Sequence, residues 1–191
     1  MNKLKEIIVS SSCQTKQWRN SQEWYNSGKS NECEKYQIRQ LEKVIKPRFE
    51  FNNIPFERDT QNTYRLQLSN GRMFIGKNKP ENICKYEVSE SFDYVFIYNK
   101  HKKHKFFINF KFIVDNGGAQ DRSFQCVYFF IQAQNKFMEN YENTEDSDFV
   151  HFINILDGDY CAKHIGEIKH LSRKNIFIGD MEAFKYMWEH T

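Results

Sequence analysis

Apolar residues recur along this chain with two periods, and the switches between them mark its elements. Residues 106–114 (FFINFKFIV) are apolar except at Asn109 and Lys111. Side chains alternate across a strand, so Phe107, Asn109, Lys111 and Ile113 share one face, and Phe106, Ile108, Phe110, Phe112 and Val114 share the other. Aromatic residues at most remaining positions predict a central strand. Residues 91–98 (SFDYVFIY) read as a second strand with Asp93 near its start, and residues 149–156 as a third. Between the 106–114 and 149–156 strands, Phe124, Val127, Phe130, Ile131 and Phe137 follow helical spacing, which predicts a long amphipathic helix ending about Asn140. Strand, helix and strand together predict a right-handed βαβ crossover.

The flanking segments complete an α/β pattern. Residues 31–46 read as a helix, with Asn31 as cap, Glu32 and Glu34 in the first turn, and Ile38, Leu41, Val44 and Ile45 as its apolar face. Pro47 is expected just past its end. Asn70-Gly71 between residues 64–68 and 73–75 predicts a hairpin. Helices are expected over 160–171 and 181–188, with a short strand over 175–178. Residues 1–30 are polar, with Trp18 and Trp24 as anchors. The expected organisation is one domain with a central mixed β-sheet flanked by helices: a polar N-terminal arm (1–30), a core (31–178) and a C-terminal helix (179–191).

Composition narrows the setting. The chain has 191 residues, long enough for a core, and 18 Phe and 10 Tyr supply much of its bulk. A net charge of +3 is modest, but residues 99–105 and 164–174 are basic clusters, which either attract phosphate or form solvated turns. The five cysteines show neither Cys-x-x-Cys pairs nor zinc-site spacing, so free thiols, no zinc and a reducing cytoplasm are expected. The apolar stretch at the start is too short for a signal peptide, and no run of about 18 apolar residues predicts a membrane span.

The polar residues of the two central strands carry the chemistry. A lysine inside an apolar strand is costly to bury unless an anion meets it. An acid on one strand and a polar residue two places before a lysine on the next suit metal-dependent phosphodiester hydrolysis. Asp93, the Asn109 side-chain oxygen and the Phe110 backbone carbonyl are candidate ligands for Mg²⁺, which prefers oxygen donors and retains waters. Lys111 would orient the attacking water or neutralise charge on the phosphate. Gly117-Gly118 permits close backbone approach, so Gly118, Gln120 and Arg122 are candidate DNA contacts, as are Lys102 and Lys103 in the basic turn. Each residue also has a plain alternative: a strand-start cap for Asp93, a solvated edge position for Lys111, an ordinary turn for the glycines.

Asp93 followed by Asn109-Phe110-Lys111, in the order helix, strands, long helix, strand, resembles the PD-(D/E)XK nuclease superfamily, and its type II restriction endonucleases in particular. The resemblance covers about residues 32–178. Residues 116–122 (NGGAQDR) look like the Gly-rich, Gln-bearing loop of several such enzymes, and residues 152–158 (FINILDG) like the following core strand. It implies a restriction-endonuclease-like fold, Mg²⁺ with Mn²⁺ as a substitute, double-stranded DNA as substrate, a homodimer and a cognate DNA methyltransferase. This chain departs from the pattern at Phe92, where proline is usual, and at Asn109, where an acid is expected. Glu42 and Glu34 on the first helix, or Glu87, Glu90 and Asp115 elsewhere, are candidates for the missing carboxylate. Two further readings stay open: a repair or recombination nuclease of the same fold, and a non-catalytic DNA-binding protein.

Overall fold

The computed structural model describes residues 20, 32–76, 89–99, 103–114, 117–141 and 149–190. Helix α1 (Glu32–Phe51) runs past the predicted stop and holds Pro47 inside it. A proline there removes one helical hydrogen bond. The stripe Leu41, Ile45, Phe49 nevertheless stays buried through it, and burying Phe49 contributes about 1.5–3 kcal/mol. Arg48 adds a tie, donating to the Trp188 carbonyl at 2.8 Å.

The strands among the described residues are β1 (Phe56–Arg58), β2 (Tyr64–Gln67), β3 (Met73–Ile75), β4 (Ser89–Ser91), β5 (Tyr94–Asn99), β6 (Lys103–Phe112), β7 (Val150–Asp157) and β8 (Ile176–Gly179). Among the described residues, helices α2 (Gly118–Tyr141), α3 (Asp159–Ile168) and α4 (Met181–His190) follow α1, with a 3₁₀ turn at Lys169–Leu171. The strands make a five-stranded mixed sheet, ordered β1-β5-β6-β7-β8, and a small antiparallel sheet, ordered β3-β2-β4. β1, β5 and β6 are antiparallel neighbours, while β7 and β8 run parallel to β6. β6 is therefore the middle strand, as its two apolar faces predict.

The alternation in β6 divides the core. Phe106, Ile108 and Phe110 pack with Leu41, Ile45 and Phe49 of α1 and Phe184 of α4. Phe107 and Ile113 pack on the other face with α2, α3 and the small sheet. The Asn70-Gly71 hairpin forms as expected, with Leu66 paired to Met73. Gly71 (φ 73°) lies so close to α2 that a Cβ there would stand 2.6 Å from the Ala133 carbonyl. β1 and β4, three residues each, were not expected: strands so short carry no legible alternation, and neither has the hairpin signal that marked the equally short β3.

Candidate functional site

The site forms where β5 breaks away from β6. The Asp93 N–H donates to the Ile108 carbonyl at 2.9 Å, and its carboxylate accepts the Phe110 N–H at 2.7 Å. These two bonds bracket Asn109. Because N–H and C=O of one strand residue point the same way, the Phe110 carbonyl also faces the Asp93 side. Lys111 follows, partly exposed, and its positive charge favours the ionised form of Asp93. Among the described residues its ammonium makes no ion pair.

Helix α1 closes one flank. Gln37, almost fully buried, donates to the Lys111 carbonyl at 3.2 Å and to the Asp157 carboxylate at 2.7 Å. One turn earlier stands Glu34, whose charge acts on Asp93 together with that of Glu90. Burial pushes the Asp93 carboxyl up to about 6, against the pull of the Phe110 N–H and Lys111, and both glutamates reinforce the rise. Asp93 thus carries the negative charge of Glu34 and Glu90 against the single positive charge of Lys111, a balance that a divalent cation beside it would relieve. No group of three or more His, Cys, Asp or Glu at metal-holding spacing occurs among the described residues. A cation here would instead meet a mixed oxygen set: the Asp93 carboxylate, the Asn109 amide and the Phe110 carbonyl. That set fits a hard ion that keeps part of its water shell.

The other residues singled out in the sequence scatter more widely. Asn109 is buried at 2% exposure and donates to the Asn154 side chain on β7 at 3.2 Å. Glu42 is two turns beyond Glu34 and is occupied elsewhere, by Lys46 at 2.7 Å, the Tyr94 hydroxyl at 3.0 Å and Arg58 at 3.9 Å. Burial works to raise its carboxyl, but those partners outweigh it and hold it below the usual range. Glu87, Lys102, Asp115 and Asn31 lie outside the described residues. Gly118 opens α2 at the Lys111 end of β6, with Gln120 partly buried and Arg122 exposed in its first turns. Lys103 is exposed at the opposite end of β6, eight residues from Lys111 or about 26 Å of strand, too far for both to meet one phosphate. Asp157 is fully buried and joins helices to β7, accepting from Gln37 and from the Met181 N–H at 3.1 Å.

Sequence reasoning missed Gln37, Gln134 and Asn154. Each is a buried polar residue inside an otherwise apolar stripe, the same signal that singled out Asn109. It also missed a contact at the far end of β6, where His104 Nδ1 lies 3.1 Å from His151 Nε2 beside Tyr98 and Phe106. Two grooves, of about 600 and 410 Å³, open on the α1 and α4 side, and neither is lined by Asp93 or Lys111. Among the described residues, no helix is long and apolar enough to cross a membrane. Compared with protein-family models, curated proteins and solved structures, the chain matches none.

Proposed function

We propose that the chain is a divalent-cation-dependent endonuclease of restriction-endonuclease-like fold, cutting double-stranded DNA at specific sequences as a homodimer. The observation that carries this reading is the Asp93 carboxylate held on the Phe110 N–H, with Asn109 between its two anchors and Lys111 next in the strand. The order helix, antiparallel strands, long helix, parallel strand supports the fold. Mg²⁺, or Mn²⁺ in its place, supplies a more acidic water and neutralises charge on the phosphate when bound. Asp93, the Asn109 amide oxygen and the Phe110 carbonyl would hold it. Lys111 aims its ammonium at the attacking water and the scissile phosphate, where charge grows in the transition state. Glu34 supplies negative charge that Asn109 lacks. Gly118, Gln120 and Arg122 meet the DNA backbone on the same side.

Plasmid cleavage with Mg²⁺ and with Mn²⁺ tests this directly. Wild type is expected to give discrete fragments, and Asp93→Ala and Lys111→Ala to lose about 100-fold or more in rate. Unchanged cutting by either variant sinks the assignment. Structure-dependent nicking in place of discrete fragments would point to a repair nuclease. A second reading has its own observation: Asn109 donates into the core, as a residue with a purely structural task does. On that reading the chain binds DNA without cutting it, and calorimetric titration with Mn²⁺ in the presence of DNA shows no uptake.

A further inference from the structure

Asn154 stands in register with Asn109 on the neighbouring strand and is fully buried. Its amide has two donor and two acceptor positions, and all four are filled. The Asn154 Nδ2 donates to the Phe177 carbonyl at 3.1 Å and to Gln134 Oε1 at 2.8 Å. Its Oδ1 accepts from Gln134 Nε2 at 2.9 Å and from Asn109 Nδ2 at 3.2 Å. A backbone carbonyl only accepts, so Phe177 decides which end of the Asn154 amide faces β8. That choice sets Gln134 and leaves only an acceptor facing Asn109. Asn109 therefore presents its Nδ2 donor to Asn154, and the planar amide keeps its carbonyl oxygen off that bond.

We infer that Asn154 and Gln134 are positioning residues that lock the Asn109 amide with its donor on Asn154 and its oxygen off that bond, so that the site is built around an amide at position 109 and would be impaired by a carboxylate there. This rests on the metal-site reading above for its catalytic meaning, though the lock itself is a property of the fold. An aspartate at 109 would set a carboxylate oxygen against Asn154 Oδ1 with no proton between them. It would also bring a second buried acid beside Asp93. Only its protonated form could restore the bond to Asn154. Asn109 is thus no damaged aspartate, and Asn109→Asp, the change that brings the chain closer to the usual acidic pattern, is expected to harm it.

The test compares wild type, Asn109→Asp, Asn109→Leu and Gln134→Met as full chains. Thermal midpoints are followed from pH 4.5 to 8, and Mn²⁺ affinity is measured by calorimetry at pH 7.5. Asn109→Asp is expected to melt about 5–10 °C below wild type at pH 7.5 and to close most of that gap at pH 4.5. Asn109→Leu, with nothing to titrate, should hold a constant offset. Failure of Asn109→Asp to fold at pH 7.5 with recovery at pH 4.5 counts the same way. Gln134→Met is expected to weaken Mn²⁺ binding about 10-fold while remaining folded, the size of effect seen when the support of a metal ligand is removed. An Asn109→Asp chain as stable as wild type at pH 7.5, or one that binds Mn²⁺ more tightly, overturns the inference. If wild type neither binds Mn²⁺ nor cuts DNA, the nuclease reading fails, and the pH contrast alone then decides whether the lock is real.

Discussion

Asp93 carries the sharpest conflict at the scale of single residues. Its carboxyl titrates at about 6 in the folded chain, above its ordinary value of 3.8. The folded state therefore binds the proton more tightly, and stability falls as pH rises through roughly 4 to 6. Above that window the ionised group costs about 2–3 kcal/mol. Asp93→Asn keeps an acceptor for the Phe110 N–H without the charge. Without divalent ions it is expected to be more stable than wild type at pH 7.5, by up to that amount, and to match it near pH 3.5. Chemical denaturation across this range measures the crossover, and added Mn²⁺ should raise the wild type alone. Such a residue was legible in the sequence because polar groups stand out in an apolar run. Their partners were not: Gln37 reaches Lys111 across 74 positions of chain, and nothing local signals that.

The long elements declared themselves because a period repeated over many residues is hard to mistake. The interleaving of Phe106, Ile108 and Phe110 with Phe107 and Ile113 survived as two faces of β6. Pro47 misled because proline acts locally, whereas the Leu41–Ile45–Phe49 stripe that carries α1 through it is a tertiary effect. The division into two sheets was likewise invisible, since β2 and β5 look alike as sequences. Two glycines test the element contacts with opposite signs. Gly71→Ala meets both a positive φ and backbone atoms of α2 at 2.6 Å, so a loss of about 2–4 kcal/mol is expected in denaturant unfolding. Gly166→Ala, inside α3 with nothing within 4 Å, is expected to gain about 0.5–1 kcal/mol. The reverse order of the two would mean that the hairpin does not rest on α2.

For the molecule as a whole, Asp93, Asn109 and Lys111 gather at one end of β6, and Lys103, with its basic neighbour Lys105, lies at the other. The sequence showed both clusters but not their separation, because strand ends are set by pairing. Lys103→Ala should accordingly leave the cleavage rate at saturating DNA unchanged within about two-fold, whereas Lys111→Ala should not. Sedimentation of the 23.1 kDa chain checks the proposed homodimer, with a species of twice that mass expected on DNA that the chain cuts. The hydrogen bond between Asp93 and the Phe110 N–H has one more consequence. It makes a backbone proton of the central strand a gauge of the acid beside it. In an NMR titration the Phe110 amide resonance should move with a midpoint near pH 6, and Mn²⁺ should broaden it before any bond in DNA is cut. The unmodified protein would then report the charge state of its own site.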